Sequence, residues 1–414
     1  MIRLFRFCAF LIFTPAMIFG QKPAAAGKAK VALYAAVGPE VTTYAVDFET
    51  ASLIKQSSVA LPESVQEAWV HPSRRYLYVT WSNNVGGAGG HHGVTAFRID
   101  PSNGALQPHG SPISLVERAV FMTVDIPGNY LLIAHNQPSG MTVHRIGADG
   151  TLGAVVPQAA DLDFGIYAHN VRVDSSNQMV ILVTRGNGPT ANKPEDPGAL
   201  KVFGYKNGVL TNRASIAPGG GYNFQARHLD FHPTRPFVFL TLERQNKLQV
   251  YRKVDGPSLS AAPLFTKETL TDPTHVTGQS PSTIHVHPNG RFVYVANRGT
   301  ATAPFQGKRV FAGGENSIAV YSINQETGEP MLIQNIDTRG VHPRTFTVDP
   351  TGRILVVANQ QEVLVRDKEE VRPLPATLSV FRIEGDGKLE FVRKYDQDSS
   401  GGKSLYWTGT VSLP

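Results

Sequence analysis

Cysteine is all but absent. The chain of 414 residues has one, Cys8, inside an apolar N-terminal run. The remainder therefore excludes thiol catalysis, disulfides and cysteine-ligated metal, which suits an oxidising compartment. Also missing are a long amphipathic helical pattern, a block of five or six basic residues, a serine nucleophile elbow and a phosphate-binding glycine loop. Basic residues are scattered, so no nucleic-acid partner is expected.

No apolar run is long enough to cross a bilayer. The start, "MIRLFRFCAFLIFTPAMIFG", carries two arginines and then about 13 apolar-rich positions from Phe7 to Phe19, which is the layout of a signal peptide. Cleavage is expected after Gly20 or within "AAAG" at 24–27, with export to a periplasm or the cell exterior and no stable membrane anchor afterwards. The formal charge is +6, and loss of Arg3 and Arg6 leaves +4. A small anionic ligand is compatible with that balance.

What the chain does have is β-branched and aromatic residues between frequent glycines and prolines, and a repeat. "LDFHPTRPFVFLTLER" (229–244), "IHVHPNGRFVYVANRG" (284–299) and "FTVDPTGRILVVANQQ" (346–361) share one skeleton of strand, tight turn and strand. Taking the first turn residue as an anchor gives His71, Asp125, Asp174, His232, His287 and Asp349, spaced by 54, 49, 58, 55 and 62 residues. That is the spacing of propeller blades with variable loops. A second hairpin follows each anchor, opened by "VTAFRID" (94), "MTVHRIG" (141), "LKVFGYK" (200), "LQVYRKV" (248), "IAVYSIN" (318) and "LSVFRIE" (378), with a seventh copy, "VTTYAVD", at 41.

The count predicts an all-β fold, a seven-bladed β-propeller of four-stranded antiparallel blades over residues 30–414. Its first blade lacks an inner strand, which "KSLYWTGTVSLP" (403–414) is expected to supply by pairing back and closing the ring. Short turns such as "GADGTL" and "EGDGKL" share one rim. The long insertions at 83–93, 186–198, 270–281, 299–316 and 361–376 share the other, where function is expected.

Five residues before each anchor stand Gln66, Val120, His169, Arg227, Ser282 and Arg344; eleven after stand Ser82, Asn136, Arg185, Glu243, Arg298 and Gln360. Both positions end strands at the long-loop rim, and nearly all are polar. They would form a basic, histidine-containing bowl around the central channel. Polar inner strands can also bond simply to one another and to channel water. Arginines with only Glu243 nearby favour an anionic ligand, since buried guanidiniums need anions. His91, His92, His285 and His287 fit solvated or turn roles better than a metal site, and neither metal nor cofactor is expected.

"YAHNVRVD" (167), "ARHLDFHP" (226) with "LER" (242), "SPSTIHVHPNGRFVYVANRG" (280) and "GVHPRTFTVDPTGRILVVANQ" (340) resemble the seven-bladed propeller lactonases, which include 6-phosphogluconolactonase-like bacterial enzymes and fungal carboxymuconate lactonizing enzymes. The resemblance covers residues 30–414. It implies a catalytic set of His169, Arg227, Glu243 and Arg298; the other ring members Arg344, Arg185, Asn136 and Gln360 are expected to bind substrate. Two motifs depart from the family's: its "DLG" reads Thr184-Arg185-Gly186 here, and "GPRH" reads Gln225-Ala226-Arg227-His228.

The implied activity is an exported lactonase acting on a sugar-acid or related anionic lactone. Water would attack the ester carbonyl, His169 titrating near neutrality would be the general base, and Glu243 would orient it or a substrate hydroxyl. Arg227 and Arg298 would hold the oxyanion or a substrate anion, and Arg344 would be a further clamp. Export disfavours a phosphorylated sugar lactone as substrate. The alternatives are a non-catalytic propeller binding a small anion or a protein, and a lactonizing cycloisomerase.

Overall fold

The computed structural model describes residues 30–84 and 89–414; the expected signal segment lies outside them. Seven antiparallel sheets follow in chain order, and the inner strands of blades 1 to 7 are Leu405–Ser412, Ser64–Val70, Ala119–Val124, Ala168–Val173, Ala226–Phe231, Gln279–Val286 and Pro343–Val348. Blade 1 is closed as the repeat count requires. Leu405–Ser412 pairs antiparallel with Val31–Val37, and Leu413 N donates to the Lys30 carbonyl at 2.9 Å. In blades 2 and 5 the outer edge is split into two short strands, both paired to the third strand.

The anchor residues tie turns to blades. Asp125, Asp174 and Asp349 accept backbone N–H groups four and five residues on, closing their own turns. The anchor histidines reach further: Nε2 of His71, His232 and His287 lies 2.8 to 2.9 Å from the carbonyl of Gly128, Gly290 or Gly352 in the next blade's turn. Those three glycines have positive φ, and a Cβ on any of them would strike the histidine. Histidine and glycine thus form a latch between blades, while apolar side chains such as Tyr34, Tyr78, Phe239, Tyr294 and Phe381 fill the space between sheets.

One irregularity recurs in all seven inner strands. The ladder to the second strand skips a residue, or sets two against one, at Tyr406, Gln66, Val120, His169, Arg227-His228, Ser282-Thr283 and Arg344. A β-bulge re-aims the side chain it frees from pairing. The position found by counting back from each turn, polar in all but Val120, is therefore the bulged position.

Two long insertions form hairpins of their own, Thr302–Phe305 with Lys308–Phe311 and Val363–Asp367 with Glu370–Leu374. They meet where the Arg366 guanidinium sits 4.2 Å from the Phe305 ring centroid.

Candidate active site

The bulges of blades 4, 5 and 7 bring His169, Arg227 and Arg344 to the long-loop end of the channel, and the second strands of blades 4, 5 and 6 add Arg185, Glu243 and Arg298 at the same level. Glu243 is the hub. Its Oε1 accepts from Arg227 Nη1 at 2.9 Å and from Arg298 Nη2, and its Oε2 accepts from Arg185 Nη1 at 3.1 Å. Burial alone would raise the Glu243 pKa; Arg227, Arg298 and Arg185 outweigh it and hold the carboxyl at about 2. The carboxylate serves the arginines, and the expectation that it orients His169 is not met.

His169 is 8% exposed, with Nδ1 buried and unpartnered. Its imidazole stands 5.1 Å from that of His228. Burial, then Arg227, Arg344, Arg185 and Arg298, push its pKa well below the usual histidine range. It is thus neutral at physiological pH, which corrects the expectation of titration near neutrality.

A cavity of about 450 Å³ opens above, lined by Gln66, Arg298, His342, Arg344, Gln360 and Tyr406. Arg298 joins it to the buried cluster, since Nη2 holds Glu243 while Nη1 lies 3.3 Å from His342 Nε2. Arg344 Nη2 donates to the Tyr406 hydroxyl at 2.7 Å, and the guanidinium lies 4.0 Å from the ring centroid. Arg118 donates to the same hydroxyl and to Gln66 Oε1.

Tyr406, His342, Arg118 and Tyr167 were not singled out in the sequence. Tyr406 had a signal: "Leu-Tyr" in the closing strand lines up with "Ala-His", "Ala-Arg" and "Pro-Arg" in other inner strands. Tyr167, Gln225 and His342 stand two residues before His169, Arg227 and Arg344, each with positive φ. Left-handed backbone at non-glycine residues is a form of strain concentrated at functional sites. It places Tyr167 under Arg185, 4.3 Å from guanidinium to centroid, and His342 against Arg298.

Asn136 is not brought to this cluster. It lines a separate opening with Ser139, Tyr167 and Asn187. Ser282 is turned inward, donating to the Pro343 carbonyl at 2.7 Å. Gln360 reaches the cavity with Oε1 buried and unpartnered. Of the four histidines set apart from the site, His92 pairs with Ser82 Oγ, His91 with Glu63, His285 with Asp230, and His287 forms a latch.

The arrangement has five guanidiniums, Arg118, Arg185, Arg227, Arg298 and Arg344, around one ionised carboxylate. Nε of Arg185, Arg227, Arg298 and Arg344 and Nη2 of Arg227 are buried without partners. Such a cluster holds an anion or a developing oxyanion.

The sequence profile described as "Lactonase, 7-bladed beta-propeller" matches residues 28–367. The chain belongs to that family. Its curated relatives are named for hydrolysis of a cyclic ester, and this lactonase keeps its candidate site within the matched span except for Tyr406, which lies beyond it. A 6-phosphogluconolactonase of Bacillus subtilis is 30% identical over 317 residues, covering 71% of this chain and 79% of its own. One from Pectobacterium carotovorum is 25% identical over 309 residues, covering 73% and 80%. The periplasmic gluconolactonase of Pseudomonas aeruginosa has the same fold, with a TM-score of 0.67 at 21% identity over 92% of this chain and all of its own.

Proposed function

We propose that this lactonase opens a sugar-acid or related anionic lactone by hydrolysis, and that it works outside the cytoplasm after export. The observation that carries the substrate class is the surplus of guanidinium over carboxylate in the bowl. An anionic group on the substrate, or the oxyanion of the tetrahedral intermediate, takes the donors that Glu243 leaves unpaired on Arg298 and Arg344. Neutral His169 accepts the proton of the attacking water. Its low basicity rises as a bound anion offsets the surrounding guanidiniums. Glu243 keeps those guanidiniums in place.

The 6-phosphogluconolactonase names of the curated relatives support a phosphorylated substrate, and the arginine surplus suits one. The N-terminal signal layout supports an unphosphorylated sugar-acid lactone. A panel holding both kinds, followed by acid release with enzyme-free rates subtracted, separates them by kcat/KM. Turnover of none, together with tight binding of an anion, would replace catalysis by simple ligand binding. Mass spectrometry of the exported protein tests the other half of the proposal: retention of residues 1–20 would rule out signal cleavage.

A further inference from the structure

Three histidines step down the channel on adjacent blades. His169 stands five residues before its turn anchor, His228 four before and His285 two before, so at about 3.3 Å per residue they descend roughly 10 Å from the bowl toward the short-turn rim. The His169 and His228 imidazoles are 5.1 Å apart. Below them a second cavity of about 320 Å³ is bordered by His228, His285, Glu67, Arg172, Trp69 and Trp407, a largely apolar space with room for several waters beside those four polar side chains. His285 marks its outer end, a third exposed, with Nδ1 3.7 Å from Asp230, which also pairs with Arg172 at 2.9 Å. The hydrolysis described above assigns nothing to this cavity.

We propose that His169, His228 and His285 form a proton exit from the reacting centre through the lower cavity to the short-turn rim. The inference rests on the lactonase reading. In that reaction the water oxygen bonds to the acyl carbon and the ring C–O bond breaks. One water proton passes through His169 to the departing alkoxide. The second remains on the new carboxylic acid, so conversion to carboxylate releases one proton per turnover. Upward it meets Arg298 and Arg344 on the cavity wall and a mouth filled by product. Downward the one lining arginine, Arg172, is paired with Asp230, and burial raises the Glu67 carboxyl to about 8, so that it can itself hold a proton beside the two imidazoles. The carboxylic acid gives this second proton to His169, which has already delivered the first to the alkoxide; it passes to His228, and then over cavity water to His285 and solvent. His228 is a positioning residue for proton movement and does not touch substrate.

The test compares wild type, His228→Phe, the smaller change His228→Gln, and His285→Gln, with residual lactone measured as its hydroxamate and folding checked by circular dichroism. In dilute bulky buffer the His228 variants should lose turnover by about 100-fold, the lower range for a proton-transfer group, with KM unchanged. Added imidazole, a small mobile proton acceptor, should restore much of it at constant pH, while wild type barely responds. His285→Gln should show the same rescue with a smaller initial loss. Wild-type turnover in folded His228 variants overturns the path, and so does a loss that imidazole leaves untouched, since a packing role alone gives no buffer dependence. Failure of wild type to open any lactone is a different result, and overturns the lactonase reading on which the path stands.

Discussion

Arg344 lies over the ring of Tyr406, 4.0 Å from its centroid, and donates to that residue's hydroxyl at 2.7 Å. The two are the bulged residues of the adjacent inner strands of blades 7 and 1, and Tyr406 lies on the strand whose pairing with Val31–Val37 closes the ring. Closure of the fold and completion of the cavity wall are therefore one event.

Tyr406→Phe should keep the fold and loosen two arginines, because Arg118 and Arg344 both lose an acceptor. A hydrogen bond to a charged group contributes about 1.5 kcal/mol or more, so KM should rise about tenfold with little change in kcat. Deleting residues 403–414 should be far worse. It strips one whole edge of Val31–Val37 of its partner, and the truncated protein should aggregate or show no cooperative melt. A truncation that melts like the full chain would contradict the closed ring.

Arg298→Ala should lower kcat by a factor of about 100, as for loss of an oxyanion donor. Stability should change by no more than about 1 kcal/mol, since Arg227 and Arg185 still hold Glu243 and one source of like-charge crowding is gone. His169→Ala should lose turnover similarly. Because burial and four arginines keep His169 neutral, the wild-type pH–rate profile should have no acid limb near 6.5, the ordinary histidine value. Such a limb, absent from His169→Ala, would show that the imidazole titrates in the normal range.

Glu243→Gln should destabilise the protein and make its stability less sensitive to acid. The folded carboxyl is held at about 2 against an ordinary 4.5. Its contribution, roughly 3 kcal/mol at 1.36 kcal/mol per unit, is complete above pH 4.5 and is lost as pH falls toward 2. Denaturant melts of both proteins at a series of pH values should therefore show a gap at pH 7 that narrows below 4.5. A gap independent of pH would mean that the carboxylate is not what the arginines bind.

Gly290→Ala tests the blade latch. Gly290 has φ +72°, and an added Cβ would come within 2.5 Å of His232 Cε1. Left-handed strain and loss of the His232 contact together should cost at least about 2 kcal/mol, read as a lower Tm with kcat unchanged. Gly256→Ala, also at positive φ but with open space around it, should carry the strain alone and cost less.

The fold was legible because six of the seven blades repeat a turn closed by aspartate or histidine, and an anchor of that kind survives variation in loop length. Counting from the anchors also reached His169, Arg227, Glu243, Arg298, Arg344 and Gln360. It could not separate residues that share a strand position but differ in what surrounds them. Ser282 occupies the bulge of blade 6 and bonds backward to Pro343, and Asn136 opens onto a different recess. Tyr406 was missed because no turn anchor follows the closing strand. Tyr167 and His342 were missed because left-handed backbone leaves no periodic trace, and Arg118 because it precedes its strand. The electrostatic state of His169 was out of reach, since it depends on four arginines that three dimensions bring together.

The closing strand also bears on activity. Leu405–Ser412 and Val31–Val37 are separated by most of the chain, yet Tyr406 is needed to seat Arg118 and Arg344. A ring left open at that strand would also leave the cavity one wall short, so an unclosed chain has no complete site for ester chemistry.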